Sequence, residues 1–242
     1  AVVSQPLIRP MLATAGALPV APRKPGVSGW ATEMKWDGVR AVAYVAHGEL
    51  RLMSRNDRDI TVSYPELAGL PSAIGVHEAV LDGEIVAMDA GGRPDFGLLQ
   101  SRMHVVDVAK ARKLAEGTPV CYLLFDLLQV DGRSALALPY ARRRDLLQHL
   151  DIDGDHLLVP PAFEGDPADA LAASLEQGLE GVVCKRLDSA YVPGRRSAAW
   201  VKVKHLRMQE VVVIGWEPGQ GRRDGAIGAS FGGALAVTTS SG

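Results

Sequence analysis

Cysteine is almost missing from this chain: Cys121 and Cys184 are the only two, both inside apolar strand-like runs and with no CxxC spacing. That excludes a disulfide framework and a clustered zinc site, and it reads as two buried, reduced thiols in an intracellular compartment. An excess of either charge is missing too. With 26 Lys and Arg against 28 Asp and Glu, the formal net charge is −2 and the pI near 6.3, so any surface for a polyanion is local. No apolar run approaches the ~20 residues that span a bilayer, and the start lacks the charged-then-apolar pattern of a signal peptide. A cytoplasmic protein without a membrane partner is expected. What is present is ordinary for a globular chain: 242 residues, 47% of them hydrophobic, enough for one large domain or one domain plus part of another.

Residues 1–29 carry Pro6, Pro10, Pro19, Pro22 and Pro25 and read as an extended lead-in laid over the domain. Trp30 to Arg40 then places Lys35 in the middle of an alternating strand that stops at Gly38. Glu33, Lys35 and Asp37 share its polar face; Thr32, Met34 and Trp36 take the mostly apolar one. A hairpin follows, Val39–Val45 and Glu49–Ser54 about His47-Gly48, then a polar loop over 55–59. Ser63-Tyr64-Pro65-Glu66 has the form of a helix start, and Ala79–Met88 that of a strand. Short helices are expected from Asp95 and Val108. Val120–Leu128 is nearly continuously apolar, as in a strand buried on both faces.

Pro139–Leu150 reads as a helix with Leu146, Leu147 and Leu150 inward and Arg142, Arg143 and Arg144 on its solvated side. Asp166-Pro167 caps another, carrying Leu171 and Leu175 and ended by Gly178. Strand-like runs return at 181–185 and 200–204. From residue 208 the texture changes to a strand at 211–216, a glycine-rich turn at 220–225 and a partner strand over 228–238. Two strands do not make an independently stable domain, so 208–242 reads as the opening of a second one after a main domain at 30–207.

Five stretches carry chemistry: Lys35-Trp36-Asp37-Gly38-Val39-Arg40, Ser54-Arg55-Asn56, Leu81-Asp82-Gly83-Glu84, Glu180-Gly181-Val182-Val183-Cys184-Lys185, and Trp200-Val201-Lys202-Val203-Lys204. Singly each has a plain reading: Lys202 and Lys204 as a solvated strand face, Glu84 as a salt-bridged carboxylate, Phe125 as a core aromatic, each arginine as a surface charge. Glu180 and Lys185 are of opposite parity, so a simple strand cannot aim both into one site; of the two, Glu180 is preferred. In this order, with Phe125-Asp126 between the third and fourth, the stretches resemble the motifs of covalent nucleotidyltransferases: DNA ligases, RNA ligases and mRNA-capping enzymes. The resemblance is closest to bacterial ATP-dependent DNA ligases, especially the ligase module of end-joining ligase D proteins, and covers residues 8 to 235. Arg9-Pro10-Met11-Leu12-Ala13 and Tyr191-Val192-Pro193-Gly194-Arg195-Arg196-Ser197 support it.

The resemblance implies an α/β (α+β), ATP-grasp-like adenylation domain: antiparallel-rich sheets flanked by helices, the nucleotide in the cleft between them, and the start of a truncated OB-fold. It implies that Lys35 forms lysyl-AMP from ATP and that Lys202 and Lys204 steady the α-phosphate. Glu84 would serve the ribose or the metal, Glu180 the metal, Mg²⁺ or Mn²⁺. Phe125 would stack on the purine with Glu33 at the adenine edge. Arg40, Arg55 and Arg196 would lie near ribose and phosphates, and Arg55 would also meet the 5′-phosphate of nicked DNA. The chemistry suits these residue types. An attacking amine must be unprotonated although free lysine has a pKa of about 10.4, so neighbouring cations and burial are needed; arginine's planar fork matches phosphate. Implied partners are nicked or broken double-stranded DNA, an end-binding protein, and fused polymerase or nuclease modules around a monomer. Because the OB-fold stops after about two strands, this chain is expected to be limited to adenylation. An RNA ligase or capping-type enzyme and a non-catalytic nucleotide- or DNA-binding module remain the alternatives.

Overall fold

The computed structural model describes residues 6–20, 29–205, 211–218 and 227–234, the last two stretches by their backbone. The strands are β1 (Leu12–Ala15), β2 (Trp30–Met34), β3 (Val39–Ala46), β4 (Glu49–Ser54), β5 (Ala79–Ala87), β6 (Val120–Val130), β7 (Arg133–Ser134), β8 (Leu157–Leu158), β9 (Gly181–Arg186), β10 (Arg196–Lys204), β11 (Val211–Pro218) and β12 (Ile227–Ala234). The helices are α1 (Leu70–Ala73), α2 (Phe96–Gln100), α3 (Val108–Gly117), α4 (Tyr140–His149) and α5 (Pro167–Glu176). Asp95, Asp107 and Asp166 cap α2, α3 and α5 with side chains that accept from Leu98, Lys110 and Ala168 backbone N–H groups. The helix start at residues 63–66 becomes short 3₁₀ turns that lead into the single turn of α1.

Two sheets organise the described residues up to 204. One is ordered β1-β10-β9-β2, the other β4-β3-β5-β6-β7 with β8 beside β6; all pairings are antiparallel except β1–β10 and β6–β8. The expected α/β architecture with antiparallel-rich sheets is therefore what the chain adopts. The lead-in contributes more than a covering segment, since β1 adds an edge strand to the first sheet; Pro22 and Pro25 lie outside the described residues.

The alternation of β3 feeds two cores. Ala41, Ala43 and Val45 join Leu52, Leu81, Ile85, Tyr122, Leu124 and Leu147 on the helix side, while Val42 and Tyr44 join Met11, Met53, Val80, Leu128, Tyr191 and Trp200 between the sheets. A third cluster, Met34, Ala170, Leu179, Val182 and Cys184, seats α5 under the first sheet. Continuous apolarity in β6 matches its burial on both faces, and Cys121 and Cys184 are free thiols, half-buried and buried.

Several expectations are corrected. Lys35 is not in a strand: β2 ends at Met34, and residues 35–38 connect it to β3. Nor does β2 present a wet face, because Thr32, Glu33 and Met34 are all buried. On α4 the polar side is not solvated throughout. Leu147 is buried as expected and Leu146 and Leu150 pack on the core, but Arg143 is fully buried and Arg144 nearly so. Tyr140, Arg143 and Leu147 recur at i, i+3 and i+7 and face β6, where the buried Asp126 demands a cation. On α5, Leu171 packs inward but Leu175 is exposed; Ala170 and Ser174 take the buried positions.

The second unit, residues 205–242, contains β11 and β12 as an antiparallel pair running from Val211 opposite Ala234 to Pro218 opposite Ile227. The glycine-rich turn at 220–225 lies outside the described residues. No helix among the described residues is long and apolar enough to cross a membrane.

Candidate active site

Strand register alone assembles the first half of the site. Met34 of β2 pairs with Val182 of β9, so the next residue, Lys35, comes opposite Gly181 and its backbone N–H donates to the Gly181 carbonyl at 2.9 Å. Lys204 of β10 also pairs with Gly181. Glu180, one residue earlier, thus meets both amines: its two carboxylate oxygens form ion pairs with Lys35 and Lys204. Burial would raise the Glu180 carboxyl, but hydrogen bonds from Lys204 and Lys35 outweigh it and hold the group below its usual range.

Gly181 makes this geometry available. Its φ is +144°, and a Cβ there would lie 2.0 Å from the Val203 carbonyl oxygen, so only glycine fits. The parity argument against using both Glu180 and Lys185 fails for the same reason: Glu180 precedes the strand across a special backbone position, whereas Lys185 lies within it. Both serve one site.

Between the two sheets lies a cavity of about 240 Å³. From the first sheet, Glu33, Val183, Lys185, Trp200 and Lys202 line it, with Lys35 at the end of β2; from the second come Arg40, Glu84 and Phe125, with Arg55 and Arg196 at the margins. Glu180 and Lys204 do not line it and reach it through Lys35. An adjoining cavity of about 300 Å³ shares Arg40, Arg55 and Glu84 and adds Ser54, Asn56, Arg58 and His104. Ten of the sequence-selected residues are therefore in or directly against one region of space: Glu33, Lys35, Arg40, Arg55, Glu84, Phe125, Glu180, Arg196, Lys202 and Lys204.

Cations and aromatic rings alternate along the cavity wall. Arg40 grips the buried Asp82 through two hydrogen bonds of 2.6 and 2.7 Å, and Tyr191 donates to the same carboxylate at 2.6 Å. The Arg40 guanidinium carbon sits 4.5 Å from the centre of the Phe125 ring, and Lys185 Nζ is equally close to it and 4.3 Å from the Trp200 ring. Phe125 is thus a mostly buried ring on the cavity wall with two cations within 4.5 Å of its centre. Burial lowers the Lys185 pKa despite Glu33 and Asp126 nearby; burial followed by Lys204 and Lys35 lowers that of Lys202. Glu84 is pushed up to about 7 by burial, against the opposing pull of Arg40 and Lys35.

Glu84 and Glu180 do not form a preassembled cage. Among the described residues no group of three or more His, Cys, Asp or Glu side chains converges, and Glu180 is engaged by two lysines. A lone wall carboxylate fits a hydrated Mg²⁺-type ion that arrives on phosphate oxygens, since such an ion needs only one or two protein carboxylates.

The model of the ATP-dependent DNA ligase domain matches residues 10–204. The chain belongs to the ATP-dependent DNA ligase family. It is 44% identical over 222 residues to the multifunctional non-homologous end joining protein LigD of Mycobacterium bovis, covering 92% of this chain and 27% of the relative, so it spans only about a quarter of that protein's length. A probable DNA ligase of Streptomyces avermitilis is 39% identical over 234 residues, 93% of this chain and 44% of the relative. Among solved structures, mycobacterial DNA ligase D complexed with ATP and MES superposes with a TM-score of 0.69 at 41% identity, covering 93% of this chain and 67% of that one. The Chlorella virus DNA ligase-adenylate, 18% identical with a TM-score of 0.56 over 94% of this chain and 84% of that one, shares the fold.

In this ligase domain the residues that sequence reasoning passed over are the buried supports. Lys185 and Trp200 line the cavity, Asp82 and Tyr191 fix Arg40, and Tyr140 donates to Glu33. One signal was legible for Asp82 and Asp126: an acid inside an apolar strand requires a partner.

Proposed function

We propose that Lys35 is the nucleophile that takes AMP from ATP. Its side-chain nitrogen attacks the α-phosphorus, a nitrogen–phosphorus bond forms, the bond to the pyrophosphate oxygen breaks, and pyrophosphate leaves. The observation that carries this reading is the position of Lys35 in the wall of a cavity lined also by Phe125, Trp200 and Glu33 and by the cations Arg40, Arg55, Arg196 and Lys202. Glu180 orients the amine and, being held ionised, is a weak base, so the proton goes to solvent. Lys202 and Lys204 offset charge on the α-phosphate, the arginines serve ribose and phosphates, and Phe125 and Glu33 receive the purine. Glu84 would hold a Mg²⁺ or Mn²⁺ ion, joined by Glu180 where Lys35 and Lys204 release it, and such an ion would supply charge neutralisation for the triphosphate.

For residues 1–242 we propose this adenylation step; in the full ligase reaction AMP then passes to the 5′-phosphate of nicked double-stranded DNA, met by Arg55, and the break is sealed in repair and end joining. Residues 208–242 open an OB-fold that closes on the duplex. We propose further that the protein works as a monomer in the cytoplasm, on the nucleoid, with a DNA-end-binding protein or fused polymerase or nuclease modules; its relative's name, a multifunctional non-homologous end joining protein, supports a setting in end joining. Intact-mass measurement before and after ATP and Mg²⁺ tests the first step. An AMP-sized addition in wild type that is lost in Lys35→Ala is expected; no adduct in wild type, or one that survives the substitution, refutes it.

A further inference from the structure

Tyr140 is a buried group that the chemistry above does not use. It is the first residue of α4, only 1% exposed, and does not line the cavity, yet its hydroxyl donates to Glu33 Oε1. The other oxygen of that carboxylate, Oε2, lies 2.7 Å from Lys185 Nζ, which in turn stands 5.0 Å from the centre of the Tyr140 ring. We propose that Tyr140 is a positioning residue for base selection: with Lys185 it clamps the Glu33 carboxylate so that its remaining lone pairs face the base. This rests on the reading that the cavity takes the purine of ATP.

The clamp is built to be stiff. The first turn of α4 is tied down by the Ala141 N–H donating to the Leu187 carbonyl at 3.0 Å, and by Arg143 donating to the Leu138 and Ser189 carbonyls at 2.7 and 2.9 Å. Burial, followed by the charge of Glu33, raises the Tyr140 hydroxyl well above its ordinary value, so it stays a donor throughout the working pH range. An ionised carboxylate only accepts. Fixed in one orientation, it welcomes a base edge that offers an amino group and opposes a carbonyl in the same place, where oxygen lone pairs would meet. A site built around such a hydrogen bond discriminates far better than one that merely fits a shape. Released from Tyr140, Glu33 can turn away and the distinction between amino and carbonyl weakens.

ATP and inosine triphosphate differ at the base only in the 6-amino against the 6-carbonyl group and in the N1 proton that accompanies the carbonyl, so the experiment compares their rates of adduct formation on the whole chain. Tyr140→Phe keeps the ring and removes the donor. It is expected to raise KM for ATP about tenfold at little-changed maximal rate and to cut the ATP-to-inosine-triphosphate preference by a similar factor, the size of one hydrogen bond to a charged group. In a Glu33→Gln background, Tyr140→Phe should change the preference by less than about twofold, because the two residues act through one contact. A folded Tyr140→Phe with unaltered preference, or one equally impaired in the Glu33→Gln background, overturns the proposal. If Tyr140→Phe does not fold, 3-fluorotyrosine incorporated at position 140 changes donor strength at nearly constant size; the preference must shift, and constancy overturns the idea. Absence of any ATP adduct on wild type would instead overturn the reading of Lys35.

Discussion

Replacing Glu84 by Gln should make the protein more stable at pH 8 and barely change it near pH 4.5. The Glu84 carboxyl is pushed from 4.5 to about 7, chiefly by burial, with Arg40 and Lys35 pulling the other way. At ~1.36 kcal/mol per pKa unit, that rise corresponds to about 3 kcal/mol. The sign follows from proton binding. Below the unfolded value both states carry the proton and the folded state loses nothing. Between about 4.5 and 7 the folded chain holds a proton the unfolded chain has released, so stability falls as pH rises; above about 7 the whole cost is present. Glutamine does not titrate, so the stability difference between variant and wild type should grow by about 2.5 kcal/mol from pH 5 to pH 8. Because Glu84 lines the cavity, solvent lessens the penalty and that figure is a ceiling. Urea unfolding of both proteins at pH 5, 6, 7 and 8 reads the difference directly, and groups common to both cancel. Parallel stability curves would refute the reasoning. A Glu84→Gln variant that is more stable yet slower to adenylate would show a carboxylate held at a cost for function.

Arg143→Met should destabilise the protein by about 3–5 kcal/mol, since it strands the buried Asp126 and two backbone carbonyls; that lowers the melting temperature by about 10 °C. Adding Asp126→Asn should restore part of the loss, and a thermal melt in which the double variant is no better than the single one contradicts it. Gly181→Ala should cost at least ~2 kcal/mol, because its Cβ would lie 2.0 Å from the Val203 oxygen at a φ of +144°. The same change should slow adenylation by shifting Glu180 relative to Lys35, read by the mass assay; an unimpaired adduct rate would show that the junction is not needed.

Much of the chain was legible in its residue pattern, and the exceptions share a cause. The β3–β4 hairpin and the doubly buried β6 could be read because alternation and continuous apolarity report one-dimensional facts about exposure. The i, i+3, i+7 row of Tyr140, Arg143 and Leu147 was hidden because its middle member is charged, and nothing near it in the chain announces that Asp126, 17 residues earlier, neutralises it. Alternation alone puts Lys35 in a strand, because it runs through residue 35, although the strand stops one residue sooner.

The pairing of Glu180 with Lys35 and Lys204 shows most clearly where local patterning ends. Parity along one strand predicts which side chains share a face only while φ and ψ stay extended. Gly181 breaks that condition, and in doing so turns a mismatch of parity into a shared site. Two lysines from β10 and from the end of β2 then meet one carboxylate because all three segments are registered on the same glycine. A glycine between an acid and an apolar strand, facing one lysine on a neighbouring strand and another just past the end of the other neighbour, is accordingly a stronger mark of this site than any of its charges taken singly.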